Sequence, residues 1–168
     1  MIRLANESDA EKINEIYNYY VTHTAITFDI TPWSLSHRQQ WLKEFNHDAS
    51  PYKLFVYESE GLVVGFAYYH RFREKLAYAS SAELTLYLSP EQKGTGVGGK
   101  LMNKLLNSLH EHEFKKAYSL VTLPNAASIA LHKKYAFNQV GKLTDVGYKF
   151  DRYHSVLIFE RTLKFEHQ

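Results

Sequence analysis

Residues 94–99 read Gly-Thr-Gly-Val-Gly-Gly, four glycines in six positions, with Lys93 in front and Leu101, Leu105, Leu106 and Leu109 at helical spacing behind. Glycine admits positive φ and close approach, so such a run opening a helix lets successive backbone N–H groups converge on a phosphate. Upstream, "SSAELTLYL" holds a single acid, Glu83, among apolar and hydroxylated residues. A carboxylate drawn into such surroundings becomes a proton acceptor near neutral pH; one on the outer face of a strand merely meets water. Downstream, "NAASIALH" carries Asn125, Ser128 and His132. An asparagine there serves as a helix N-cap whatever else it does, and a histidine either moves a proton or only hydrogen-bonds a neighbour. His110-Glu-His112-Glu does not match H-E-x-x-H, and imidazoles at i and i+2 diverge on a helix, so no metal site is expected.

Three phosphate-binding motifs compete for the glycines. Gly94, Gly99 and Lys100 fit G-x-x-x-x-G-K-[ST], but Leu101 stands where the Mg²⁺-binding hydroxyl belongs. Gly94-x-Gly96-x-x-Gly99 fits the dinucleotide fingerprint, which needs a turn directly after its strand and an acid about 20 residues on. Here five residues separate Leu88 from Gly94, and Val121-Thr122-Leu123 closes the next strand without an acid. The third reading is a basic residue followed by G-x-G-x-G, between a strand and a helix. On the loop alone, a purely structural glycine-rich turn stays open as a fourth.

The elements that must position these residues follow from patterning. Ile2-Arg3-Leu4 reads as a short strand, and Ser8-Asp-Ala-Glu11 as a capping box before Ile13, Ile16, Tyr17, Tyr20 and Val21 at helical spacing. A second helix is expected over 36–46. Two strands turn at Ser59-Glu60-Gly61, and residues 78–88 form a strand that Pro90 stops. A helix is expected from Gly98 to His112, then strand "KKAYSLVT", a short helix from Asn125, and a tail of strand, loop, strand. No internal repeat or interdomain linker interrupts this order, which describes one α/β domain.

Lys93-Gly94-Thr95-Gly96-Val97-Gly98 resembles the coenzyme A pyrophosphate loop of the GNAT superfamily of N-acetyltransferases, with Lys93 where Gln or Arg is usual. "IYNYYVTHTAITFD", "FREKLAYASSAELTLYLSP", "NAASIALHKKYAFNQVGKL" and "VGYKFDRYHSVL" are similar to segments of its phosphinothricin and methionine-sulfoximine branch, in order from residue 16 to residue 157. The resemblance implies a single GNAT domain over 1–168, with a central mixed, mostly antiparallel sheet splayed at the acetyl-CoA site and flanked by helices. It implies direct transfer of acetyl from acetyl-CoA, as cosubstrate, to the α-amine of a small amino acid or analogue: phosphinothricin, methionine sulfoximine or methionine sulfone. It implies that neither a metal nor an acyl-enzyme takes part.

Residue by residue, the resemblance implies Glu83 as general base, since an amine must lose a proton before or during attack. It implies cofactor contacts from Leu86, Tyr87 and Leu88 on the strand and from Lys93, Gly94, Thr95, Gly96, Val97, Gly98 and Gly99 in the loop. Asn125, Ser128 and His132 follow on the next short helix. His132 stands where many GNAT enzymes place a tyrosine that protonates the departing thiolate; a plain cofactor contact is the alternative. Arg73 is implied near the acceptor, where its planar fork suits a carboxylate, with Phe28, Tyr78 and Thr85 as pocket walls and Tyr78 and Tyr87 beside Glu83.

Composition narrows the remaining classes. Among 168 residues there is no cysteine, which excludes disulfides, thiolate metal sites and cysteine nucleophiles and fits a cytoplasmic home. A net charge of +2 with scattered basic residues gives no reason to expect nucleic acid. The sequence offers no run of membrane-spanning length and no signal-peptide layout at Met1, so no membrane partner is expected. A homodimer is implied by the branch alone. An acyl-CoA sensor without turnover, or an acetyltransferase for a protein N-terminus or an aminoglycoside, is the competing function.

Overall fold

A computed structural model describes residues 1–163; the last five positions of the expected 1–168 domain lie outside the described residues. The elements are β1 (Ile2–Leu4), α1 (Ala10–His23), α2 (Leu35–Leu42), β2 (Lys53–Ser59), β3 (Leu62–Arg71), β4 (Ser81–Leu88), α3 (Val97–Glu111), β5 (Lys116–Thr122), α4 (Ala126–Lys134), β6 (Asn138–Lys149) and β7 (Arg152–Thr162). The seven strands form one sheet in the order β1-β2-β3-β4-β5-β7-β6. Every neighbouring pair is antiparallel except β4 and β5.

Strand alternation divides the core between the two faces of this sheet. Ala82 and Leu84 of β4 join Phe55, Ala67 and Phe159 under the apolar stripe of α3, where Leu101, Leu105 and Leu109 are fully buried. Leu54, Val56, Phe66 and Tyr87 point the other way, against Ile13, Ile16, Tyr17 and Val21 of α1 and Leu42 of α2. Glu83 and Thr85, between Ala82, Leu84 and Leu86, therefore share the α1 face with Tyr87.

Three boundaries differ from the sequence expectation. The capping box lies at Asn6 and Asp9, because a 3₁₀ turn over Glu7–Asp9 precedes α1: the Asn6 side chain accepts from the Ser8 amide at 2.9 Å, and Asp9 Oδ2 accepts from the Asn6 amide at 2.8 Å. Asp9 is held further by two N–H bonds from Arg3, both 2.8 Å. Helix α2 starts at Leu35, capped by Ser34, and stops at Leu42 instead of reaching residue 46. Strand β4 begins at Ser81, since Leu76–Tyr78 winds into a 3₁₀ turn.

The parallel pair β4–β5 is the feature that makes a site. Its register runs only through Ser81↔Lys116, Ala82↔Ala117 and Glu83↔Tyr118, after which the strands part. Beyond that point β4 remains paired with β3 through Leu88 and β5 with β7 through Thr122. A wedge thus opens inside the sheet without exposing a broken ladder on its outer flanks.

Candidate active site

The wedge leads into a cleft of about 1030 Å³, floored by β4 and β5 and closed by the glycine loop, α4 and the loop after α1. Which backbone groups face it follows from register. The Ser89 amide donates to Val64 O at 2.9 Å, so odd-numbered residues of β4 hydrogen-bond toward β3 and even-numbered ones turn toward β5. Two contacts agree: Ser119 Oγ donates to Leu84 O at 3.4 Å, and Tyr20 Oη donates to Leu88 O at 2.6 Å. Past Glu83 there is no strand opposite, so the amides of Leu86 and Leu88 line the wedge as donors.

At the mouth, Gly94 and Gly96 take φ of +79° and +85°, and Gly96 is the left-handed N-cap of α3. This bends the loop so that the amides of Gly94, Gly96, Val97, Gly98 and Gly99 have no hydrogen-bond acceptor among the described residues. The result is a concave cluster of donors at the positive end of a 15-residue helix, built to hold an anion of several oxygens. Tyr135 Oη donates to Gly99 O at 2.7 Å and pins the first turn.

Glu83 lies on the cleft wall with its side chain 21% exposed. Burial raises its carboxyl pKa above the ordinary value; the nearby charges of His70 and Arg73 act against that rise. His132 sits at the other side of the wedge, buried, with its ring stacked on Phe159. Its Nδ1 lies 2.7 Å from Ser128 O, an acceptor only, which requires the proton on Nδ1 and leaves Nε2 as a lone pair. Burial lowers its pKa, opposed by the Ser128 carbonyl, which favours the neutral ring. Asn125 caps α4 by accepting from the Ser128 amide at 3.2 Å.

Of the residues expected in the site, the cleft gathers Glu83, Thr85, Leu86, Tyr87 and Leu88 from β4. It adds Lys93, Gly94, Gly96, Gly98 and Gly99 from the loop, Asn125, Ser128 and His132 from α4, and Phe28 from the segment after α1. Thr95 stands outside, its hydroxyl turned back to Gln92 O at 2.8 Å, and the Val97 side chain is in the core while its amide belongs to the donor cluster. Arg73 and Tyr78 do not line the cleft. Arg73 is 52% exposed, lies over the Phe72 ring and reaches Glu83 Oε2 at 3.7 Å. Tyr78 is 43% exposed and packs edge-on against Phe72, so it is not the group that buries Glu83; Tyr87 instead faces Tyr17, Tyr20 and Phe66.

Sequence reasoning did not reach several wall residues. Tyr20 and His70 enter through pairings that no spacing rule exposes, and Ser119–Thr122 line the wedge because β5 lost its neighbour. Phe28, expected as a wall, reaches the cleft across Gly147, where a Cβ would stand 2.3 Å from the ring. No group of His, Asp and Glu able to hold a metal occurs among the described residues.

Comparison with known proteins agrees with this geometry. Residues 2–158 match the acetyltransferase (GNAT) domain family. The chain is 38% identical to a phosphinothricin N-acetyltransferase of Streptomyces coelicolor over 165 residues, covering 96% of this chain and 95% of that one. It is 30% identical to the L-methionine sulfoximine/L-methionine sulfone acetyltransferase of Salmonella typhimurium, over 90% of this chain and 88% of the other. A phosphinothricin acetyltransferase from Sinorhizobium meliloti, solved in complex with AcCoA, superposes with a TM-score of 0.91 at 29% identity, covering 97% of this chain and 88% of that one. The chain belongs to the GNAT family of acetyl-CoA-dependent N-acetyltransferases, in the branch of the phosphinothricin and methionine-sulfoximine enzymes.

Proposed function

We propose that this protein moves the acetyl group of acetyl-CoA to the α-amine of a small amino acid or analogue such as phosphinothricin, methionine sulfoximine or methionine sulfone, with Glu83 as general base. The observation that carries the reading is the continuity of one cleft from the unpaired loop amides, past the β4 amides, to a half-buried carboxylate. The residues present fit the cosubstrate. A diphosphate suits the amides of Gly94 and Gly96–Gly99, with Lys93 adding charge at the rim. The amides of Leu86 and Leu88 offer donors to amide groups of the pantetheine arm and to the thioester oxygen, fixed before negative charge develops there.

Glu83 accepts the proton that an ammonium must shed before its nitrogen attacks, and its raised pKa brings it nearer the pH at which a base works best. Arg73, 3.7 Å from that carboxylate, is the cation placed to meet an acceptor's own carboxylate. Phe28 and Thr85 give the acceptor its walls, while Tyr78 stays outside, against Phe72. A cytoplasmic homodimer completes the reading. The support for the dimer is the outer strand β6, where Val140, Val146 and Tyr148 are more than half exposed.

For His132 the geometry favours a cofactor contact over proton donation, because its Nε2 accepts. His132→Asn, which keeps a donor toward Ser128 O, is expected to lower kcat by less than about tenfold, against the roughly 10²–10⁴-fold typical of losing an acid–base group. The check is kcat against pH at saturating acetyl-CoA; a loss of the larger size with a missing alkaline limb restores His132 as the donor. The reading as a whole is tested by thiol release from acetyl-CoA with each of the three analogues, with peptides and with an aminoglycoside. Turnover is expected with the amino-acid analogues. Tight acetyl-CoA binding without turnover on any of them points to a sensor, and turnover on peptides or the aminoglycoside alone moves the acceptor class.

A further inference from the structure

Each turnover must dispose of a proton. An acceptor that arrives as an ammonium R–NH₃⁺ first gives up one proton; the neutral nitrogen then attacks the thioester, the N–C bond forms and the C–S bond breaks. Of the three N–H protons one stays on the amide, one ends on the thiol and one must leave the cleft. Glu83 accepts a proton but sits inside the wedge, so the next cycle waits until that proton has gone. The side chain placed to take it is His70.

His70 is the cross-strand partner of Glu83 in the β3–β4 register, and the pairs Phe66–Tyr87, Tyr68–Thr85 and His70–Glu83 climb the same face toward solvent. Both side chains line the cleft, and His70, half-buried, is the outermost of the ladder on β3. Its Nδ1 lies 2.8 Å from Arg71 O, which keeps the proton on Nδ1 and leaves Nε2 as the basic nitrogen. Its ring stacks on Tyr68, so its orientation is fixed. Among the described residues the two side chains make no direct hydrogen bond, and the charge of one is felt at the other. The titratable and charged groups around His70 are Glu83 on β4, Arg73 beyond the end of β3 and Tyr68 on its own strand; Arg71 is engaged by Glu74 at 2.9 Å. An imidazole ring can accept a proton at one nitrogen while the other holds one, which suits a carrier between Glu83 and water.

We propose that His70 is the proton carrier that resets Glu83, taking its proton through Nε2 and a bridging water and passing it to solvent. This rests on the reading of Glu83 as base, and it adds a residue that acts through Glu83 without touching the acceptor. Wild type, His70→Gln and His70→Ala are compared by thiol release with methionine sulfone at saturating acetyl-CoA, across pH and with added imidazole. Both variants are expected to lose kcat by about tenfold, less than the roughly 10²–10⁴-fold for the base itself, with both KM values nearly unchanged. Imidazole should restore the rate in proportion to its concentration. A uniform loss that imidazole does not relieve, or variants equal to wild type at every pH, overturns the carrier while leaving the acetyltransferase reading in place. Absence of turnover by the wild type with every acceptor overturns that reading instead. Melting temperatures of the two variants separate a folding defect from a lost carrier, and rescue in either variant supports the proposal.

Discussion

Glu83→Gln is expected to lower kcat by about 10²–10⁴-fold, the usual cost of removing a positioned base, while the KM for acetyl-CoA stays within about twofold. Glutamine keeps the shape and one oxygen but cannot take a proton. The donor cluster at Gly94–Gly99 is on another element, so cofactor binding should not register the change. The deficit narrows as pH rises and more of the amine is already neutral. A second readout is thermal. Burial raises the folded-state pKa of Glu83, so the native chain binds this proton more tightly than the unfolded chain does. The stabilisation linked to that proton is complete below the unfolded carboxyl pKa and is lost as pH rises through the folded value. The Tm of Glu83→Gln relative to wild type should therefore increase as pH rises above about 4, the ordinary carboxyl pKa of the unfolded chain. An enzyme made slower and more heat-stable by one neutralised carboxyl marks a group kept for function against the preference of the fold. Unchanged kcat, or a large rise in the acetyl-CoA KM, removes Glu83 from the role.

The largest effect on cofactor affinity is expected from Gly94→Ala combined with Gly96→Ala. Nothing lies within 4 Å of a Cβ at either position, so the variant creates no clash. What it opposes is conformation, because both residues have φ near +80°, and the left-handed region costs a residue with a Cβ about 1–2 kcal/mol each. The pair thus weakens the loop by about 2–4 kcal/mol, or acetyl-CoA affinity by about 30- to 700-fold whether the loop keeps its strained shape or abandons it. At saturating acetyl-CoA kcat should recover, since Glu83 and the β4 amides are untouched. Isothermal titration with acetyl-CoA measures the first point and initial rates the second. Affinity within threefold of wild type would show that the diphosphate rests elsewhere.

Much of this site was legible before any coordinates. The glycine spacing and the helix behind it pointed to an anion cradle, because the conformations glycine permits are a local matter. Glu83 stood out as the one acid in an apolar strand. What could not be read was set by pairing between distant segments. The partner of Glu83 on β3 and the early end of the β4–β5 ladder depend on register, and the approach of Phe28 over Gly147 joins residues more than a hundred apart in sequence. Arg73 illustrates the same limit from the other side. Its type suits a carboxylate, yet its place beside the cleft, over Phe72, is a tertiary fact. The capping box shifted for a local reason that spacing alone does not reveal, since the Arg3–Asp9 pair and a 3₁₀ turn moved the cap from Ser8 to Asn6.

The most direct test of the account is a crystal structure with acetyl-CoA and methionine sulfone bound, read at two places. The account predicts diphosphate oxygens within hydrogen-bond reach of the Gly94–Gly99 amides, and the acceptor nitrogen between the thioester carbon and Glu83. A diphosphate away from those amides, or an acceptor nitrogen on the opposite face of the sheet from Glu83, would contradict it.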